Sequence, residues 1–404
     1  MASNKSSTLK TGDLIEVTIE KVAHGGHFIA RHDGAVIFVR HAIPGERCTI
    51  EVTSTGSSFN RGDVVEVHVA SEHRVEAPCR YAHRAGCGGC DFQHIDPAYQ
   101  RTLKADVIKE QFSRIAKMQI EIDVEEVSKS THWRTRAIAT TNRNGKLGFY
   151  KSRSHNVVPV DDCLICVDGM KLNEIAASHL KGDMRIEISS SNTGERTIAL
   201  APIRGEEKAR ISEGPVVLHE KVAGRVLEVS QASFWQSNEK APELLTETIL
   251  DFAQLKSGEH VLDLYGGVGL FTAAIVEAVG EGGHVDLIEG SKVATADAAR
   301  NFANNPNVTI ATGDVAKLLP RITAADVVVL DPPRDGAGKE AIAHIARLAP
   351  RSIVYVACDP AALARDTAYL ADHSYSLVKL RAFDLFPMTH HIECVALYTR
   401  AKVS

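Results

Sequence analysis

From about residue 237 onward, strand-length apolar runs alternate with helix-length segments, and few architectures accept that rhythm. Strands are predicted at 261–266, 284–289, 308–312, 326–331, 352–357, 376–383 and 394–399. Helix-length chain separates the first six, as parallel βαβ pairing requires. About ten residues separate the last two, too few for a crossover helix, so the final strand is expected to run antiparallel. The expected fold class is α/β, a doubly wound sheet whose ligands sit outside the carboxyl ends of its strands.

Those ends carry the chemistry. The stretch from Val261 to Phe271 (VLDLYGGVGLF) is a strand, a glycine turn and the start of a helix. A glycine turn alone is shared by many nucleotide-binding folds, and this one lacks the full G-x-G-x-x-G of a dinucleotide site. Acidic residues close the following strands: Glu289, 26 residues after Asp263, then Asp314 and Asp331. Each alone could be a helix cap. Together they face one crevice, where Glu289 is placed to accept hydrogen bonds from ribose hydroxyls.

Cys358 follows the fifth strand and precedes a helix. A thiol with an ordinary pKa of about 8.5 is only a few per cent ionised at neutral pH. The helix N-terminus is expected to favour its thiolate. A cysteine nucleophile beside a methyl donor suits carbon 5 of a pyrimidine. Addition of the thiolate to carbon 6 makes carbon 5 an enolate-type nucleophile, and a base must later remove its proton. Glu393, His390 and His391 compete for that role on chemical grounds.

The 404 residues exceed what one core usually organises. Three parts are expected: a five-stranded barrel of OB type over 1–75, a central segment over 76–235 and the α/β domain over 236–404. The barrel is read from period-two alternation, as at Ile15, Val17 and Ile19. Turn signals such as Gly25-Gly26 and Asp33-Gly34 punctuate it. The central segment opens with Cys79, Cys87 and Cys90, and Cys163 and Cys166 follow; their spacing admits either zinc or an iron–sulfur cluster. A helix is expected over 96–118. Net charge is −5, so a nucleic-acid surface has to be local. From Lys129 to Arg153 there are seven Lys/Arg and no Asp or Glu. Arg134, Arg136, Arg143, Lys146 and Arg153 are candidate phosphate contacts there, with Trp133, Phe149 and Tyr150 available for stacking.

The segments S233-F-W-Q-S-N238, D263-L-Y-G-G-V-G269, L330-D-P-P-R-D-G336, V356-A-C-D-P-A-A-L-A-R-D366 and F386-P-M-T-H-H-I-E-C394 resemble the RNA uracil-C5 methyltransferase family in order and spacing. The barrel resembles a TRAM domain, an RNA-binding module. The resemblance implies a class I methyltransferase domain, S-adenosylmethionine as cofactor and 5-methyluridine in tRNA or rRNA as product. It implies Cys358 as nucleophile and Glu393 as general base. Gln236, Tyr265, Gly266, Gly269, Glu289, Asp314 and Asp331 are implied as cofactor contacts. It further implies a [4Fe–4S] cluster on Cys79, Cys87, Cys90 and Cys163, with Cys166 a rival fourth ligand.

Methylation of a base nitrogen is the less favoured chemistry, because Arg334 stands where such enzymes place a stacking aromatic. A catalytically inactive RNA-binding iron–sulfur protein on the same scaffold is the alternative of another class. The polar first twelve residues lack the apolar core of a signal peptide, and no apolar run is long enough to span a membrane. A cytoplasmic monomer that binds RNA and no membrane is expected.

Overall fold

The computed structural model describes residues 9–205 and 207–400. The first eight residues, part of the polar start read above, lie outside them. Strands β1 (Leu14–Ala23), β2 (His27–His32), β3 (Ala35–Arg40), β4 (Arg47–Ser54) and β5 (Asn60–Val69) close a barrel in the order β1-β2-β3-β5-β4. The period-two alternation turns Val17, Ile19, Phe28, Ala30, Ile37, Val39, Cys48 and Ile50 into its core.

Helix α1 (Pro97–Gln111) starts on an Asp96 cap with proline in its first turn and ends in a short π-helical turn over 112–116. Strand β6 (Val124–Glu126) follows. The next six strands form an antiparallel sheet: β7 (Arg136–Thr141), β8 (Leu147–Tyr150), β9 (Val157–Pro159), β10 (Met184–Ser190), β11 (Arg196–Pro202) and β12 (Arg210–Glu213). Their order is β12-β11-β10-β7-β8-β9, and α2 (Leu172–Ala177) contributes Leu172 and Ile175 to its core. A hairpin of β13 (Val217–Val222) and β14 (Arg225–Ser230) leads into α3 (Ala241–Ala253).

The remaining chain is the expected α/β sheet. Its strands are β15 (His260–Leu264), β16 (His284–Glu289), β17 (Val308–Thr312), β18 (Val327–Leu330), β19 (Ser352–Ala357), β20 (Tyr375–Asp384) and β21 (Glu393–Arg400). Between them lie α4 (Leu270–Val279), α5 (Lys292–Asn301), α6 (Val315–Leu318), α7 (Gly338–Arg347) and α8 (Pro360–Asp372). The order is β17-β16-β15-β18-β19-β21-β20-β6, and β21 runs antiparallel to both neighbours. The buried strands read as continuous apolar runs, Val327–Leu330 and Ser352–Ala357 among them, because both faces are covered. The eighth strand, β6, comes from the middle of the chain and pairs in parallel with β20. One core cluster joins Phe28 and Ile43 of the barrel, Leu103 and Ile108 of α1, and Ile353 and Tyr398 of the sheet. The barrel is thereby packed onto the α/β domain.

Candidate active site and cysteine cradle

The cofactor-type crevice is built at the carboxyl ends of β15, β16, β18 and β19. After β15 the chain reverses through Tyr265, held at φ 61, with Gly267 and Gly269 also at positive φ. A non-glycine residue held there stores backbone strain, a mark of functional turns. A side chain on Gly269 would lie 2.2 Å from the Phe302 ring, and one on Gly266 2.8 Å from Leu287. The turn therefore packs tightly behind and leaves its front open. Asp263 is fully buried; its Oδ2 accepts from the backbone N–H (3.0 Å) and hydroxyl (2.6 Å) of Thr272. Its Oδ1 finds no partner among the described residues, and burial raises the carboxyl to about 6. Glu289 receives the Gly267 N–H at 3.1 Å and the Ser291 N–H at 2.6 Å. Asp314 is exposed and caps α6 through the Lys317 N–H. Gln236, buried on the loop before α3, donates to Asp331 Oδ2 at 3.3 Å.

The catalytic candidates meet beside this turn. Cys358 directly follows β19 and Glu393 opens β21, its antiparallel neighbour, where Ala357 pairs with Cys394. Burial, then Glu393, Asp331 and Asp359, push the Cys358 thiol up to about 12, and Arg334 opposes them. The expected thiolate-favouring helix end is thus outweighed, because desolvation and neighbouring carboxylates act on the same sulfur. Glu393 is 3% exposed, its Oε1 has no partner among the described residues, and burial with Asp331 raises it well above the ordinary range. Asp331 is raised to about 7 by burial and Asp263. These are carboxyls held in a low-dielectric crevice with too few cations. Of the rival bases, His390 Nδ1 is tied to Asp91 at 2.5 Å, and burial lowers His391 to about 3.

The cysteine cradle lies on the other side of the 386–391 loop. Cys79, Cys87, Cys90 and Cys163 line one cavity of about 540 Å³, together with Arg134, Phe149 and Phe234. Cys163 acts electrostatically on both Cys87 and Cys90, placing it among them. Cys166 lines the same cavity from the central sheet's core, its backbone N–H donating to the Cys163 carbonyl at 3.0 Å, and its thiol beside Cys163 lowers that sulfur to about 7. Among the described residues, only His260, His284 and Asp286 bring three metal-type donor atoms within 4.8 Å of one another. The four sulfurs are spread more widely than the roughly 3.8 Å separations that a tetrahedral Zn–S length of 2.3 Å imposes. An all-cysteine lining suits either a zinc ion or an iron–sulfur cluster.

The basic segment divides. Arg143, Lys146 and Arg153 are exposed, Tyr150 is 38% exposed, and Arg134 and Phe149 face the cavity. Arg136 also lines the cavity but is spent on buried Glu220 at 3.1 Å, and Trp133 is 1% exposed in a small core with Ile165 and Met388. Neither is free for RNA. The segment threads from the interior to the surface, so adjacency in sequence does not give a shared face.

Comparison with known proteins settles the family. A TRAM domain model matches residues 9–67, and a tRNA (Uracil-5-)-methyltransferase model matches residues 319–401. An uncharacterised RNA methyltransferase of Streptomyces avermitilis is 41% identical, over 96% of this chain and 98% of its own. One from Corynebacterium efficiens is 37% identical over 99% of this chain and 98% of its own. The chain belongs to the RNA uracil-C5 methyltransferase family. The crystal structure of a Pyrococcus abyssi tRNA (uracil-54, C5)-methyltransferase with S-adenosyl-L-homocysteine shares the fold. Its TM-score is 0.72 at 20% identity, over 95% of this chain and 99% of that one. Among the described residues, no helix is long and apolar enough to cross a membrane.

Several residues that shape this methyltransferase site are not candidates from sequence, although Asp366 closes one of the family-like segments and Ser233 opens another. Asp297 of α5 accepts from Ser230 and Ser233 at 2.6 Å each and so pins the loop that presents Gln236. Asp366 holds the 331–338 loop through the Ala337 N–H at 2.8 Å and the Tyr355 hydroxyl at 2.7 Å. Lys104 and Gln100 of α1 reach Asp384 (2.6 Å) and the Met388 N–H (2.9 Å), bracketing the loop that leads to Glu393. Phe234 is 71% exposed between the cradle and Gln236. An aromatic in the polar stretch S233–N238 was the available signal for it.

Proposed function

We propose that this chain forms 5-methyluridine in RNA, tRNA or rRNA, with Cys358 as nucleophile and Glu393 as the base that resolves the adduct. The convergence of Cys358 with the buried, unpartnered Glu393 carboxyl at the crevice's edge carries the reading. S-adenosylmethionine supplies the electrophilic methyl group. The positive-φ turn at Tyr265–Gly269, Glu289 and Gln236 are the residues to hold it, with Asp314 and Asp331 at its rim. Cys358 rests as a thiol, and its proton leaves for Asp331, the carboxyl poised nearest neutrality, as its sulfur bonds to carbon 6. Arg334 faces the sulfur as the offsetting cation. Glu393 first loses its own proton to solvent; as a carboxylate it takes the carbon-5 proton after methylation, the carbon–sulfur bond breaks, and Asp331 returns a proton to the departing thiolate. A carboxyl raised by burial is a stronger base once ionised than a free one. The base has to leave its stack to reach Cys358, which costs least in a loop.

Cys79, Cys87, Cys90 and Cys163 are proposed to hold a [4Fe–4S] cluster, with Cys166 on the same cavity wall as the rival fourth ligand. The role of the cluster is to brace the RNA-binding side, since methyl transfer needs no electron. Protein purified without oxygen is expected to be brown with close to four irons; colourless protein with one zinc would sink this assignment. A cytoplasmic, monomeric enzyme is the accompanying proposal.

The mechanism is tested by two variants that must fail differently. Cys358→Ala binds RNA and releases it on denaturation. Glu393→Gln transfers one methyl group and stalls as a denaturation-resistant protein–RNA species. A methylated adduct trapped by His390→Ala or His391→Ala, with Glu393→Gln turning over, would reassign the base. Mapping 5-methyluridine in RNA from cells with and without the protein identifies the substrate.

A further inference from the structure

The barrel touches the catalytic centre itself. Between β1 and β2 the chain turns through His24, Gly25 and Gly26, the glycines at φ 87 and 78. His24 Nε2 lies 2.9 Å from Oδ2 of Asp359, the residue that follows Cys358. The other oxygen of Asp359 caps α8, accepting from the Ala361 and Ala362 N–H groups at 2.9 and 2.8 Å. One carboxylate thus ties the first turn of α8 to the barrel, one residue from the sulfur. Two residues along, Gly26 packs against His390: a Cβ there would lie 2.9 Å from its Nδ1. His390 in turn holds Asp91 and stands three residues before Glu393. A single barrel turn therefore bears on both loops that deliver the catalytic pair.

An exposed His–Asp pair usually contributes little to stability, so its placement, not its strength, is the informative feature. We propose that the His24–Gly26 turn is a positioning element of the methyltransferase centre, with His24 fixing the Asp359 cap and thereby the Cys358 sulfur. This rests on Cys358 being the nucleophile. It gives the RNA-binding barrel a mechanical link to the reacting atom: RNA that displaces the turn releases the cap, and RNA that seats it holds the sulfur in line. Misplacing a nucleophile by about 1 Å can cost on the order of 100-fold in rate.

The test uses the full chain and total RNA from cells lacking the protein and grown on 5-fluorouracil. Fluorine at carbon 5 cannot leave as a proton. The Sγ–C6 and C5–CH3 bonds form, S-adenosylhomocysteine departs and the adduct persists. His24→Ala is expected to form this adduct roughly ten- to a hundred-fold more slowly at saturating RNA, with RNA affinity within about twofold of wild type. His24→Gln, whose amide N–H still reaches Asp359, should recover most of the rate. Gly26→Ala should reproduce the slowing through His390. In an Asp359→Asn background the His24→Ala effect should vanish, as coupling through one partner requires. An unchanged adduct rate in His24→Ala overturns the proposal. So does a loss confined to RNA affinity, which would make His24 an RNA contact, or a slowing that persists in Asp359→Asn. Absence of adduct with the wild-type enzyme would instead overturn the covalent reading and this inference with it.

Discussion

The catalytic crevice and the cysteine cradle stand on either side of the 386–391 loop, and they are built by opposite means. In the crevice each side chain sits at the end of its own strand, so the sheet alone brings Asp263, Glu289, Asp331 and Cys358 to one edge. In the cradle, cysteines 73 to 84 residues apart in sequence must be folded together, and Cys163 arrives from beyond the central strands β7–β9. Their charge differs in the same way. The crevice crowds carboxyls, two of them (Asp263 and Glu393) with an oxygen left without a partner among the described residues, whereas the cradle sets its thiols beside Arg134. A regular scaffold can hold uncompensated charge in place, at a cost in stability.

The sharpest break between the two regions is in turnover. Cys358→Ala is expected to lose on the order of 10⁴-fold or more while keeping iron content and cofactor affinity. Cys87→Ser or Cys90→Ser should lose the iron yet keep cofactor affinity within about threefold, since the crevice does not depend on those loops. Iron analysis beside cofactor titration reads both. Equal loss of cofactor binding in the cysteine variants would show that the regions are one unit. The link to watch is Met388, whose carbonyl accepts the Asp91 and Phe92 N–H groups at 3.1 and 3.0 Å. Cys163→Ser should lose the cluster as fully as Cys87→Ser, and Cys166→Ser should retain it.

The next effect is smaller and concerns the uncompensated charge. Asp331, raised to about 7, and Asp263, raised to about 6, bind protons more tightly folded than unfolded. Their contribution to stability is present below about pH 4–5 and is lost as pH rises through 6 and 7. Asp331→Asn removes one such group, so it should be more stable than wild type near pH 8 by on the order of 1–3 kcal/mol. That advantage should shrink towards pH 5. Thermal melts of both proteins across this range check the sign. A gap that widened on acidification would place Asp331 in an ion pair, contrary to its surroundings.

The same contrast explains what could be read from sequence. Strand ends are a local property, so Glu289, Asp331 and Cys358 were legible as one edge before any coordinates. The ionisation of Cys358 was not, because it depends on Glu393 and Asp331 arriving from other strands. The helix end is a local cue, and burial with the neighbouring carboxylates outweighs it. Strand β6 is three residues long and has no period to detect. Arg136 looked free because its partner, Glu220, is 84 residues away. The His24 turn read only as a loop, since nothing in Gly25-Gly26 announces a second domain against it.

The smallest expected effect tests whether the cradle side meets RNA at all. Arg143, Lys146 and Arg153 are exposed, and the α/β sheet's edge offers no comparable acid-free basic run. If each neutralises a phosphate, removing one should flatten the log–log dependence of RNA affinity on salt by roughly one unit or less. Arg143→Gln, Lys146→Gln and Arg153→Gln together should then flatten it by about two to three units, with little change in the slope-independent part of binding. Arg136→Gln is the internal contrast. Its charge is spent on buried Glu220, so it should lower stability through an unpaired carboxylate and leave the salt slope unchanged. Should Arg136→Gln flatten the slope while the three exposed variants do not, the RNA path runs over the interior sheet face instead. Should neither act, the basic run is a solvated surface and the RNA is held by the barrel and the crevice alone.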